Sequence, residues 1–497
     1  MTYGPGKSDR LVVPTKSSNK AARRAAETVE GRSLPKGNTD QQNALRTQSR
    51  VGAPSALSRV REIARKEKDV RFTALLHHVT VDALRDSFLS LRKGAAPGVD
   101  GVTWEQYRVD LEANLQVLHG RLHRGAYRAK PSRRAFIAKP DGRQRPLGIA
   151  ALEDKILQRA LSEVLNAIYE EDFLGFSYGF RPGRSAHQAL DALSVGILRR
   201  KVNWVLDADI SGFFDAISWE WLARFLEHRI ADRRVLRLIQ KWLRAGVLQH
   251  GVKTVATTGS PQGATISPLL ANVYLHYVFD LWTEQWRRRN ARGDVIVCRY
   301  ADDLVLGFEH ESDARLFWAD LRQRLAKFAL ELHPEKTRLL RFGRSASAEA
   351  QAAGEGKPGT FDFLGLTHLC GKSRRGRFLL TRVTSKSRMR GTLRALREQL
   401  RVHRDRPIPE QGAWLQRVLR GYFNYYAVPT NSRRIRAFRK EVARAWLRAL
   451  RRRSQRHRMP WRRMRALENR WLPPARVLHP WPDRRFDART QGRSPVR

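Results

Sequence analysis

Val297-Cys298-Arg299-Tyr300-Ala301-Asp302-Asp303-Leu304-Val305-Leu306-Gly307-Phe308 sets two adjacent acids between two β-prone runs. Such runs on either side of a short polar break read as a hairpin with carboxylates at its tip. Aspartate is common in turns, so Tyr300–Asp303 alone is equally readable as an ordinary polar turn. A second acid-bearing run changes the balance. In Trp204-Val205-Leu206-Asp207-Ala208-Asp209-Ile210, strand alternation puts Val205, Asp207 and Asp209 on one face and Leu206, Ala208 and Ile210 on the other. Acids on a strand so apolar are costly to bury unless they are paired or bind a metal. Asp209, or its rival Asp207, together with Asp302 and Asp303 offers the oxygen donors that suit magnesium. Two ions about 3.5–4 Å apart can activate a 3′-hydroxyl and stabilise a departing pyrophosphate. Phosphoryl transfer asks for little beyond that and positioning.

Outward from these strands, composition narrows the partners. The 497 residues include 95 Lys and Arg against 48 Asp and Glu, a formal charge of +47. A surface that basic attracts polyanions and releases condensed counterions when it binds them. Thirteen tryptophans and 41% hydrophobic residues argue against a disordered basic packing protein, which is poor in both. The length allows two or three subdomains. Cys298 and Cys370 are too few for a disulfide framework or a Cys-rich zinc module, in keeping with a reducing, cytoplasmic setting. No run approaches the roughly 18 apolar residues of a membrane helix, and no signal-like segment opens the chain, so no membrane partner is expected. The histidines lack HExxH spacing, and no GxxxxGK[ST] loop is present.

Local patterns supply a coarse layout. Residues 1–55 are rich in Ser, Thr, Gly, Lys and Arg and are expected to be a disordered basic extension. Helical periodicity starts near Val60 and runs through Phe72, Leu75 and Leu76, and Pro97–Gly101 reads as a loop. The strand-like Ala135-Phe136-Ile137 leads to Lys139-Pro140-Asp141-Gly142-Arg143, where Asp-Gly signals a hairpin. Helices are expected over 152–170 and 185–200, and a surface loop over 345–359. Beyond 385 the chain turns helical and basic. Its apolar stripes are Met389/Leu393/Leu396/Leu400, Trp414/Val418/Tyr422/Tyr425 and Ile435/Phe438/Val442/Ala445.

From about residue 60 to 480 the ordered motifs resemble group II intron reverse transcriptases. They are Pro97–Gly101, Arg145-Pro-Leu-Gly-Ile149, Leu152–Gln158, Ser177–Ser185, Asp209-Ile-Ser-Gly-Phe-Phe214, Ser260-Pro-Gln-Gly263, Ile266–Asn272, Tyr300–Asp303, His333–Thr337 and Phe363-Leu-Gly365. The resemblance implies an α+β, right-hand polymerase fold of fingers and an antiparallel palm, followed by an α-helical thumb or maturase domain. On that pattern, 56–200 holds the N-terminal extension and fingers, 201–370 the palm, 371–455 the thumb, and 456–497 a basic tail placed to contact DNA.

The same resemblance implies the site. Asp209, chosen over Asp207 by the acid preceding Ile-x-Gly-x-Phe, joins Asp302, Asp303 and the Ile210 carbonyl around two Mg2+ ions. Lys139 and Arg145 match contacts to the triphosphate, and Gln262 lies where backbone approaches the nucleotide. Phe214 matches the ring beneath the incoming sugar that excludes a 2′-hydroxyl, with Phe213 left to the core. Lys336 matches a lysine that protonates pyrophosphate, and Phe363, Leu364 and Gly365 match the primer grip. Arg420, Tyr422, Arg451, Arg452 and Arg453 are expected to bind RNA. The implied partners are group II intron RNA, an RNA template, a DNA primer or target, and deoxynucleoside triphosphates. Many relatives add a DNA endonuclease with His and paired Cys. No cysteine follows Cys370, so that domain is expected to be absent. Two alternatives stay open: a non-catalytic RNA-binding maturase, and a reverse transcriptase of the retron or diversity-generating type.

Overall fold

The structure, a computed structural model, describes residues 57–138, 144–249, 251–261, 263–352, 354, 357–453 and 459–490. The extension 1–55, Lys139, the Asp141-Gly142 turn and Gln262 lie outside the described residues. The class is mixed α+β.

Helices α1 (Ser58–Lys66), α2 (Val81–Ser90), α3 (Trp104–Val109) and α4 (Leu111–His123) lead into strands β1 (Ser132–Ala138) and β2 (Gln144–Ile149). Next come α5 (Leu152–Asp172), α6 (Ala186–Arg199), β3 (Trp204–Asp209), α7 (Phe213–Ala216), α8 (Trp219–Glu227) and α9 (Arg233–Arg244). Short strands β4 (Val247–Gln249) and β5 (Val252–Thr254) precede a long helix. That helix comprises α10 (Ser267–Leu275), a π turn (His276–Asp280) and α11 (Leu281–Arg289). Strands β6 (Val295–Tyr300) and β7 (Asp303–Phe308), α12 (Glu311–Ala326) and β8 (Arg338–Arg341) complete the central part. Then follow α13 (Ala346–Ala352), strands β9 (Phe361–Phe363), β10 (Leu366–Lys372) and β11 (Phe378–Thr384), and the helices α14 (Lys386–Val402), α15 (Ile408–Tyr426), α16 (Ser432–Arg451), α17 (Trp461–Trp471) and α18 (Pro482–Thr490).

Three sheets result, ordered β2-β1-β4-β5, β6-β7-β3-β8 and β11-β10-β9. The central one, β6-β7-β3-β8, is antiparallel throughout. Strands β3, β6 and β7 are largely apolar on both faces because both are covered. Leu206, Ala208, Ile210, Leu304 and Leu306 face a large core shared with α1, α5, α8 and α10. Val205, Val305, Ile296 and Cys298 face a second core with α6, the β9–β11 sheet and Phe486 of α18. A third core lies among α14 to α17.

Several local expectations need correction. The first helix stops at Lys66 instead of running through Phe72. The buried Arg229 guanidinium donates to the carbonyls of Ala64, Glu67, Lys68 and Val70 at 2.7–3.2 Å, drawing off the acceptors that further turns would use. Phe72 then bridges Ile230. The segment expected as a loop at 345–359 contains α13, with Ala346 and Ala350 buried on one side. On α15 the buried face holds Leu415, Leu419, Tyr422 and Phe423, one residue round from the stripe read through Trp414 and Val418. Gly412 explains the shift: a Cβ there would lie 2.4 Å from the Trp471 ring, so α17 packs against that side of α15.

Residues 459–490 fold back on the rest. Met459, Met464 and Leu472 join the third core, and α18 packs on α6. Arg485 makes a two-pronged contact with the buried Asp191 of α6, which also faces Arg382 of β11 at 3.4 Å. His479 stacks on His187 with centroids 4.2 Å apart. Burial, then the neighbouring His479, pushes His187 down to about 4. No helix among the described residues is long and apolar enough to cross a membrane.

Candidate active site

The carboxylates meet where the central sheet runs out. Along β3 and β7 the register ends at Asp209 opposite Asp303, and opposed side chains in such a pair stand about 4.5–5.5 Å apart at Cβ. Both continue the face of Val205 and Val305, beyond the point where the second core covers it. Asp302 sits beside them in the turn joining β6 to β7, across which Tyr300 pairs with Asp303. Beyond Asp209 the chain still bridges a neighbouring segment. Ser211 N donates to the Glu331 carbonyl at 2.8 Å, and His333 N to the Asp209 carbonyl at 2.7 Å. The intervening Ile210–Leu332 pair therefore makes no bond of its own, which turns the Ile210 carbonyl to the β7 side.

The two-residue turn is tight. Ala301 takes φ +58°, where glycine is the usual occupant. Gly179 backs it closely, since a Cβ there would lie 2.3 Å from Ala301 N and 2.8 Å from Tyr300 C. Tyr178 N and Arg299 N bond the carbonyls of Arg299 and Phe176, each at 2.9 Å, which fastens this strip along β6.

Asp207 and Asp209 have different partners. Arg338 donates to Asp207 at 3.0 Å, and burial pushes the Asp207 carboxyl up against that pull. Lys336 pairs with Asp209, and the two side chains are 53% and 24% exposed. No three His, Cys, Asp or Glu side chains among the described residues are gathered tightly enough to ligate an ion as they stand. The donor chemistry nonetheless fits a hard divalent cation. The carboxylates that converge are all oxygen donors, and the Lys336 ammonium already stands in as a cation on Asp209.

Phe214 is the second residue of α7, half-buried, with its ring 5.5 Å from the buried Phe213. Its carbonyl accepts Ser260 N–H at 2.7 Å, Gly259 N bonds the Ile217 carbonyl at 2.7 Å, and Trp219 Nε1 reaches the Gly259 carbonyl at 2.6 Å. Gly259, at φ +86°, leaves no room for a Cβ against the Phe214–Asp215 backbone. The loop leading to position 262 is thus fastened to the turn that carries Phe214. Arg145 lies on β2, and its side chain is outside the described set.

Phe363 is buried in the second core. Leu364 and Gly365, at φ +50° and +77°, form the turn between β9 and β10. Tyr425 Oη donates to the Leu364 carbonyl at 2.8 Å, and Ser385 N to the Gly365 carbonyl at 3.1 Å. The turn is thereby tied to the end of α15 and the start of α14. Arg420 and Arg452 are exposed, as are Arg394 and Arg436 on neighbouring helices. Arg451 donates to the Met459 carbonyl at 2.9 Å, and Arg453 to that of Arg406. Tyr422 corrects the expectation of an RNA contact. It is buried, its ring stacked 3.6 Å from Phe438.

Sequence reading assigned no role to Arg299, Asp280, Asn272 and Gly179, which surround the turn. An arginine directly after the apolar run Val295–Cys298, on the same strand, was the available signal.

Residues 137–368 match the family described as reverse transcriptase (RNA-dependent DNA polymerase). Protein YkfC of Escherichia coli (strain K12) is 36% identical over 44% of this chain and 65% of its own length. The group II intron-encoded protein LtrA of Lactococcus lactis is 33% identical over 44% of this chain and 37% of its own. Nuclear intron maturase 2, mitochondrial, of Arabidopsis thaliana is 31% identical over 20% of this chain and 14% of its own. The chain spans less than two thirds of each of these relatives.

Proposed function

We propose that the chain is a reverse transcriptase of the group II intron-encoded kind, which copies RNA into DNA and also binds its intron RNA to promote splicing. The observation that carries the reading is Asp303 directly opposite Asp209, with Asp302 in the adjoining turn, inside the matched segment. In the right-hand arrangement, β1, β2 and the helices before them serve as fingers, the central sheet as palm, and α14 to α16 as thumb.

Asp209, Asp302, Asp303 and the Ile210 carbonyl would hold two Mg2+ ions, which when bound supply the charge that activates a primer 3′-hydroxyl and steadies the leaving pyrophosphate. The protein's own groups do the rest. Lys139 and Arg145 neutralise the triphosphate, the arginine by a two-pronged contact. The Gln262 loop lies against the nucleotide. Lys336 leaves Asp209, neutralises the pyrophosphate and hands it a proton. The turn at Phe363–Gly365 supports the primer end. Exposed arginines such as Arg420 and Arg452 follow the phosphates of a folded RNA.

Phe214 closes the space beneath the sugar, and its backbone is pinned by Ser260. Phe214→Val is expected to raise ribonucleotide incorporation relative to deoxynucleotide by roughly ten- to a hundred-fold, the range one bulky pocket wall supplies. Single-nucleotide extension with each substrate class measures it. The whole reading is tested by extension of a DNA primer on an annealed RNA template with deoxynucleotides and Mg2+. A folded protein that binds structured RNA tightly yet extends nothing would instead be a non-catalytic maturase.

A further inference from the structure

We propose that Arg299 is a positioning residue for the Asp302–Asp303 turn, and that the π turn at His276–Asp280 aligns Asp280 and Asn272 to hold it. The inference rests on the polymerase reading of those carboxylates.

Arg299 is the second residue before the turn and is fully buried. Its Nε and Nη2 donate to the two carboxylate oxygens of Asp280, at 2.7 and 2.6 Å. That two-pronged contact fixes the plane of the guanidinium. Nη1 is then aimed at Asn272 Oδ1, 2.9 Å away, and at the Ala301 carbonyl, 3.2 Å away. Asn272 Nδ2 in turn donates to the Gly179 carbonyl at 2.8 Å, and Gly179 is the residue lying against Ala301 N. The turn is therefore gripped from the core by Arg299 and from the other side by Gly179, and Asn272 joins the two.

Stability alone does not account for a charge pair in this place. A buried ion pair is often no more stable than well-packed apolar residues of the same volume. Apolar residues could not donate to the Ala301 carbonyl. His276 offers no substitute for the cation, because burial and then Arg299 hold it neutral, down to about 3.

The helix geometry supports the same assignment. Asn272 and Asp280 are eight residues apart on one continuous helix. In a regular α-helix eight residues overshoot two turns by about 80°, which would send the two side chains to different faces. A π turn closes on the fifth residue instead of the fourth and so absorbs one residue. Eight residues then act as seven, about 20° short of two turns, and both side chains meet one guanidinium.

Arg299→Lys tests the idea. The lysine keeps a charge for Asp280 but cannot hold the four acceptor oxygens in one plane. The variant is expected to melt near wild type and to bind template–primer normally. Its affinity for Mn2+, measured by electron paramagnetic resonance on the free protein, should fall by about ten-fold or more. The Mg2+ needed for half-maximal extension should rise in parallel, and kcat should drop with KM for deoxynucleotide at saturating Mg2+ unchanged. Asn272→Ala, which leaves the Arg299–Asp280 pair in place, should shift the same readouts in the same direction and serves if the lysine variant does not fold. Unchanged Mn2+ affinity in the folded variant overturns the proposal. Mn2+ binding is read without any copying, so a wild type that binds Mn2+ but extends no primer would defeat the polymerase reading and leave this comparison intact.

Discussion

Alanine at both Asp302 and Asp303 is expected to abolish primer extension while binding of structured RNA and assisted splicing persist. On the proposed reading the carboxylates supply the charge that holds the ions, so their loss would remove several kcal/mol from the transition state, a fall of about a thousand-fold or more in rate. The fold should survive. Neither side chain belongs to a core, and the turn keeps its grip from Arg299, Gly179 and the β6–β7 ladder. Extension of an annealed primer measures the first effect, and splicing of the partner RNA measures the second. A stably folded double variant that no longer assists splicing would contradict the separation of metal site from basic helices.

Trp446→Ala is expected to undo the C-terminal bundle. The indole is fully buried between α14, α15 and α16, and its N–H reaches Gln411 Oε1 at 2.8 Å. Gln411 in turn donates to the carbonyls of His403 and Arg404 at 2.7 and 3.0 Å, where α14 ends. The truncation leaves a cavity costing about 3–5 kcal/mol, and the stranded Gln411 oxygen adds roughly 1–3 kcal/mol. Lower melting, protease cutting between α14 and α17 and loss of RNA affinity should follow together. Trp446→Phe refills most of the volume. Equal losses in the two variants would rule out the cavity as the cause.

The sequence was most legible where local pattern and packing agree. The β6–β7 hairpin and β3 could be read from β-prone runs interrupted by acids because their mostly apolar residues are covered on both faces. The stripe Ile435, Phe438, Val442 and Ala445 is buried throughout. Periodicity failed where a distant residue intervenes. Arg229 ends α1 from more than 150 positions away, and Trp471 decides which face of α15 turns inward. Tyr422 shows a different limit: an aromatic among arginines suits RNA, but its place depends on Phe438, one helix later. The π turn has no sequence signal of its own, and its Asp280 meets Arg299 of β6, a contact that only the fold brings about. Of the candidate site, the three carboxylates, Phe214 and Lys336 were legible as motif residues, whereas the network behind them depends on the fold.

The contact between Arg485 and Asp191 joins positions 294 apart. Phe486, next to it, enters the core that unites α6, the central sheet and the β9–β11 sheet. A ribosome therefore has to add residue 486 before the nascent chain can complete that core. If, as proposed, the protein is made from the very RNA it binds, translation and splicing of one transcript compete, because a ribosome crossing the intron pulls apart the shape on which splicing depends. On that reading late closure puts the two in order: the ribosome passes residue 486 first, and the folded core then takes hold of the RNA.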